Sequence, residues 1–189
     1  MQLKDLRSRV AANIGRSSIT GIDSYFNDGQ RDLAKDSKKI VKASVTVADD
    51  NFTIPSNCLI LKAVAYNGGE LLPYPGEVLP TIYSGTPSHY MQFGSTVYVM
   101  DKATGTYTIT YIPRPIDMVN DTDTPSLEDA DEALIAYATW QFYQNDGNIN
   151  DAAYWRSVYL EKKADWLDLD AKRNYRQIRV ADRLSRWWG

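Results

Sequence analysis

The hydrophobic period changes twice along this chain, and that constrains its fold more than any other feature. Leu3, Leu6, Val10 and Ile14 recur at three to four residues, the spacing of one helix face, and Gly15 is a natural stop. Thr20 with Asp23 reads as a capping box that opens a second helix carrying Ile22, Phe26, Leu33 and Ile40 along one side. Gly29 inside that helix costs about 1 kcal/mol relative to Ala, which predicts close approach of a neighbour. From Lys42 the period falls to two. VKASVTVA alternates, Asp49-Asp50-Asn51 turns into FTIP, and CLILKAVAY is apolar enough for a central strand. Asn67-Gly68 is a strong hairpin signal, with ELLPYP pairing back. Pro75 to Pro87 reads as a long connection with one short strand at Val78–Tyr83, and MQFGSTVYVM and TYTITYI are two further strands. Pro113 and Pro115 end the sheet, and Asp117–Asp123 is an acidic linker. Thr124-Pro125-Ser126 then starts a helix, since Pro is favoured at the first position. Leu127, Leu134, Ala138 and Phe142 form its apolar side, and Asn145-Asp146-Gly147 ends it. A last helix begins near Asn150 and runs past Asp170, with Ala153, Leu160, Ala164, Leu167 and Ala171 along one side.

Two helices, a run of strands and two more helices predict an α+β fold. Its core is an antiparallel four-helix assembly formed by residues 1–41 and 116–170. A small antiparallel β-sandwich or barrel of roughly five to seven short strands, residues 42–115, is inserted between helices two and three. Residues 171–189 form an extended or helical C-terminal arm. A length of 189 residues suffices for a core with one inserted subdomain. The 43% hydrophobic and 24% charged fractions exclude wholesale disorder.

Little in the chain points to catalysis. Cys58 is the one cysteine, which excludes an internal disulfide and a multi-cysteine zinc site; it reads as a small buried hydrophobe. His89 is the one histidine and lies in a Ser/Pro-rich loop near a strand start, with no G-x-S-x-G nucleophile motif beside it. The acids Asp117, Asp121, Asp123, Glu128, Asp129, Asp131 and Glu132 lack the glycine and terminal glutamate of a calcium loop. Part of that run is helix chemistry, because acids in a first turn complement the macrodipole. No lysine follows a glycine loop in phosphate-binding register. The expectation is a non-enzyme with no cofactor and no metal. No apolar run reaches the roughly 18 residues of a membrane span, and MQLKDLRSRVAANIGR has no apolar signal region.

Charge is distributed unevenly. Residues 171–189 hold Lys172, Arg173, Arg176, Arg179, Arg183 and Arg186 against Asp182, a local net of +5, so the overall −3 leaves residues 1–170 at −8. All five tryptophans fall in the last third, two of them adjacent at Trp187 and Trp188. Such asymmetry marks an interaction arm. Three readings are open: a solvated helix end, an arm whose arginines pair with phosphates while its tryptophans stack on bases, and a peptide that docks in a protein groove. The acidic body disfavours the nucleic-acid reading. Burying two tryptophans yields roughly 10 kcal/mol at about 25 cal/mol/Å², against about 4–15 kcal/mol for association and ordering. One arm therefore binds weakly, and many arms on a ring bind firmly through avidity.

Three stretches carry a family resemblance: IDSYFNDGQRDLA, FTIPSNCLILKAVAYNGGELLP, and the long TYTITYIPRPIDMVNDTDTPSLEDADEALIAYATWQFYQNDGNINDAAYWRSVYLEKKA. They resemble the second helix, the opening of the β-domain and the paired C-terminal helices of head-to-tail connector (adaptor) proteins of tailed bacteriophages, in the variant with an inserted β-domain. The resemblance implies a structural neck protein of the virion, synthesised in the host cytoplasm and assembled into a ring, typically dodecameric, below the portal. Its implied partners are the portal protein, neighbouring copies, a downstream tail or nozzle protein, and double-stranded DNA that passes through the lumen without sequence-specific binding. It implies no membrane. An acidic or neutral lumen would let phosphates slide. Tyr175, Arg176, Arg179, Arg183, Arg186, Trp187 and Trp188 are the expected portal-docking or subunit-docking residues. The alternative is a nucleic-acid-binding accessory protein that uses the same arm.

Overall fold

The computed structural model describes the chain apart from residues 48–49, 77–84, 101–103 and 186–189, and describes side chains up to residue 173. The fold is α+β, with four helices and two sheets rich in antiparallel pairing among the described residues. It divides into two compact units: Met1–Lys39 with Arg114–Gly189, and Ile40–Pro113.

The first unit holds α1 (Leu3–Asn13), α2 (Asp23–Asp36), α3 (Asp131–Asn145) and α4 (Ile149–Ser185). Leu3, Leu6, Val10 and Ala11 bury one face of α1, and Gly15 ends it in the left-handed region at φ 70°. The centre is α3, where Ala133, Leu134, Ile135, Ala136, Ala138 and Thr139 are all buried. A helix apolar on nearly every side must be enclosed, and α1, α2 and α4 all pack on it. Gly29 is where α2 approaches α3. A Cβ there would sit 3.1 Å from both Leu134 and Tyr137, so the close neighbour predicted from the glycine is α3.

Several local expectations need correction. Ile22, not Thr20, precedes the first turn of α2, and no side chain caps it; Asp23 is instead held by Arg7, at 2.6 and 2.7 Å. Ile40 lies beyond the helix, which stops at Asp36. Residues 124–126 do not start a helix. Ser126 is tied to Gln30 of α2 by hydrogen bonds, and Asp129 adopts φ 55°, so regular helix waits until Asp131. In α4 the packed residues are Ala152, Tyr159, Trp166 and Asp170, one position off the expected Ala153–Leu160–Ala164–Leu167–Ala171 side. Tyr159 and Trp166 bring more buried area than an Ala/Leu stripe, and each finds a hydrogen-bond partner.

The second unit contains β1 (Val41–Val47), β2 (Asn51–Thr53), β3 (Cys58–Tyr66), β4 (Gly69–Glu70), β5 (Leu72–Pro73), β6 (His89–Phe93), β7 (Thr96–Val99) and β8 (Gly105–Pro113). They form two four-stranded sheets, ordered β1-β8-β3-β4 and β2-β7-β6-β5. Both contribute to one core, with Val64, Tyr107 and Ile109 from the first sheet and Phe52, Val97 and Val99 from the second. The alternation of β8 sets its register: Tyr107, Ile109 and Tyr111 point inward. Burial pushes the Tyr107 hydroxyl up to about 12. Asn67 and Gly68, at φ 49° and 82°, form the predicted turn. MQFGSTVYVM is a hairpin of two strands, since Gly94 at φ 56° turns the chain. ELLPYP divides: Glu70 pairs with β3, while Leu72 and Pro73 join β6 in parallel in the other sheet. These splits raise the described strands to eight. The strand expected at Val78–Tyr83 lies outside the described residues.

Candidate functional site

The acid-rich segment between the sheet and α3 is a hub of ion pairs within the first unit. Asp117 binds Arg31 of α2 at 2.6 Å, and Asp121 binds Arg7 of α1 at 2.5 Å. Glu132 meets Arg9 at 3.1 Å, Asp131 meets the Met1 amine at 2.7 Å, and Asp129 meets Arg173 of α4 at 2.7 Å. The backbone N–H groups of Asn120 and Val119 donate to Asp123, each at 2.8 Å, and hold its carboxyl below the usual range. Arg7 is raised above its ordinary value, first by the Asp23 hydrogen bonds and, against burial, by Asp121. The missing cations of this run are thus supplied by α1, α2, α4 and the Met1 amine.

Two polar side chains of α2 fix the same segment. Asn27 accepts the Met118 N–H at 2.8 Å and returns a hydrogen bond to the Met118 carbonyl at 3.1 Å. Gln30 is fully buried. Its Oε1 accepts from the Ser126 backbone at 2.8 Å and the Ser126 hydroxyl at 3.0 Å, and its Nε2 donates to the Ile116 carbonyl at 3.3 Å. Sequence reasoning passed over both residues. The signal was a glutamine in step with the buried Phe26 and Leu33, where a polar group persists only if its hydrogen bonds are met.

A second polar cluster joins α2 to α4. Lys163 reaches Asp32 at 2.7 Å and Asp36 at 2.8 Å, and the Tyr159 hydroxyl donates to Asp32. Burial opposes ionisation of Asp32, but Lys163 and Tyr159 outweigh it and lower its pKa. Burial and the Asp32 bond raise Tyr159. A cavity of about 210 Å³ beside Trp166 is walled by Lys39, Glu128, Asp170 and Arg173. Two of its charges are engaged: Asp170 accepts the Lys38 N–H at 2.8 Å and Arg173 holds Asp129.

His89 opens β6 rather than lying in a loop, with Nδ1 3.0 Å from the Ser88 hydroxyl. Cys58 is buried, and burial raises its thiol pKa, the condition of an inert thiol. Among the described residues no cluster of three or more metal-ligating side chains occurs, and no helix is long and apolar enough to cross a membrane. Of the expected docking residues, Tyr175, Arg176, Arg179 and Arg183 lie on the backbone of α4, which continues as a helix through Ser185. Arg186, Trp187 and Trp188 lie outside the described residues.

What these polar networks join are α-helices and the segment returning from the sheets, the parts with the longest family resemblance. A family model described as SU10 adaptor protein matches residues 1–181. The chain belongs to this family. It is a phage adaptor with a structural role in the neck. The match runs through both units and into the basic stretch, taking in Tyr175, Arg176 and Arg179 and ending before Arg183. The Asn27 and Gln30 clamps and the acidic hub are therefore features of an adaptor's helical unit. No curated protein matches the chain.

Proposed function

We propose that this adaptor assembles as a dodecameric ring below the phage portal, extends the DNA channel and offers its lower surface to the next tail or nozzle protein. In this reading residues 1–41 and 116–170 form a helical core and residues 42–115 an inserted β-domain that faces the tail. Residues 171–189 are a handle that docks on the portal or on a neighbouring copy through Tyr175, Arg176, Arg179, Arg183, Arg186, Trp187 and Trp188. The observation that carries the reading is the adaptor-family match along residues 1–181. It is supported by α4, which runs for 37 residues, about 55 Å at the usual rise, from the helical unit into the basic stretch. Arginine and tryptophan are favoured anchors of protein interfaces, and a ring repeats each weak anchor many times.

The test is binding of purified protein to portal-bearing, DNA-filled heads of the same virus, comparing the full chain with one truncated after Asp170. Saturable binding in a fixed ratio, lost on truncation, is the expected result. Unchanged binding by the truncated chain refutes the handle. Failure of both forms to bind, with free DNA retained by the full chain, refutes the portal reading in favour of a nucleic-acid arm.

A further inference from the structure

α4 carries a second apolar stripe, set about 90° around the helix from the face that packs on α3 at 100° per residue. Leu160 is 54% exposed; Ala153 and Ala164 are also exposed, and Leu167 and Ala171 half-buried. This is the stripe that periodicity assigns to the core, and the core uses its neighbours Tyr159 and Trp166 instead. A surface helix needs one apolar face, so a second one has to be accounted for.

We infer that this stripe is a parallel helix-to-helix seam for a second copy of the same chain. In heptad register Ser157, Ala164 and Ala171 take position a, and Ala153, Leu160 and Leu167 take d. In a parallel pair a faces a and d faces d, so Leu160 and Leu167 meet their counterparts while the small residues at a let the two helices approach closely. The flanks decide the occupant and its direction. Arg156 and Lys163 fall at g, Glu161 and Asp168 at e. In a parallel pair each g residue faces the e residue five positions on in the other helix. Arg156 then meets Glu161 of the partner subunit, and Lys163 meets Asp168 of the partner subunit. In an antiparallel pair g faces g and e faces e, which sets cation on cation and acid on acid. Lys163 is already engaged by Asp32 and Asp36, so Arg156 with Glu161 of the partner subunit is the principal pair.

Three heptads fall short of the roughly 1,200 Å² that a stable dimer buries, so the seam makes a weak, reversible pair. A contact that uses one patch on both copies closes on itself and does not propagate into a ring. The pair therefore belongs to the free chain before assembly and does not depend on the ring reading.

Sedimentation of the full-length chain over concentrations up to about 1 mM tests it. Reversible dimerisation is expected, weakened at least about tenfold by Arg156→Glu and restored by the exchange Arg156→Glu with Glu161→Arg. Leu160→Cys is expected to give an oxidised dimer joined through position 160 of both copies, the sign of parallel register. A monomer at every concentration, a dimer indifferent to Arg156→Glu, or failure of the charge exchange to restore it overturns the seam. Head binding is read separately, so the seam can fail with the portal reading intact.

Discussion

Replacing Gln30 with Leu should unfasten the segment that returns from the sheets to the helices. The side chains are similar in size and the site is fully buried, so packing changes little and the polar term decides. Four hydrogen bonds are lost: two from Ser126 at 2.8 and 3.0 Å, one to the Ile116 carbonyl at 3.3 Å and a long one to the Asn27 side chain at 3.5 Å. Ile116 is 78% exposed, so its carbonyl regains water and costs little. The Ser126 N–H is half-buried and loses its partner, which costs roughly 1–3 kcal/mol, and each ordinary bond adds about 0.5–1.5 kcal/mol. The added apolar burial of Leu offsets part of this, leaving about 2–4 kcal/mol. At about 2–4 °C per kcal/mol, the helical transition should fall by roughly 4–16 °C. Urea unfolding followed by tryptophan fluorescence measures it cleanly, because the described tryptophans, Trp140, Trp155 and Trp166, all lie in the helical unit and residues 40–113 contain none. A double-mutant cycle with Ser126→Ala should show about 1–2 kcal/mol of coupling. A loss under about 0.5 kcal/mol, or strict additivity, would refute the claim that Gln30 holds the segment.

Two further outcomes follow from the same geometry. Asp32 has a lowered pKa, so its contribution is present above its unfolded value and lost as pH falls through the folded one, below about pH 4. Lys163→Met leaves that carboxyl buried without its cation and so raises its pKa. The variant should therefore be destabilised at neutral pH and should lose less stability than the wild type on acidification, as read from urea midpoints; parallel pH profiles would contradict this. Gly68 sits at φ 82° in the β3–β4 turn, where a Cβ costs about 1–2 kcal/mol. Gly68→Ala should lower the melting of the tyrosine near-UV signal from the β-unit and leave the tryptophan transition in place; equal shifts in both would count against it.

The large periodic elements were legible because their physics is local. The α1 stripe, the alternation of β8 and the Asn67-Gly68 turn all depend on residues within a few positions of one another; Gly29 announces a close approach locally, although the neighbour it admits, α3, is distant in sequence. The failures share a different cause. Thr124-Pro125-Ser126 has the chemistry of a helix start, but Gln30, far away in sequence, captures the Ser126 backbone first. MQFGSTVYVM reads as one strand by hydrophobicity, although a single glycine in the left-handed region makes it two. In α4 two apolar stripes compete at helical spacing, and periodicity cannot rank them. The winner was set by the Tyr159 and Trp166 rings and their partners Asp32 and Glu128 on other elements. For the arm, sequence supplies charge and composition, which identify an interaction segment without its contacts.

The ion-paired hub also changes how charge bears on the proposed DNA channel. Taken as bare charge, the net −8 of residues 1–170 would act as a field that repels phosphates from a lumen wall. Yet Asp117, Asp121, Glu128, Asp129, Asp131 and Glu132 each face a cation of their own chain, and Asp123 is occupied by backbone N–H groups. A close ion pair presents a dipole, whose potential falls off faster with distance than that of a lone charge, and salt screens it further within about a Debye length. The densest acidic run in the sequence is therefore first a fastening between helices, and what it can exert at a distance is cut to its surplus of carboxylates over cations, since Arg7, Arg31 and Arg173 each serve two acids. Glu161 and Asp165 of α4 share Lys162 in the same way. A wall that repels DNA would draw on such surpluses and not on the full count of acids.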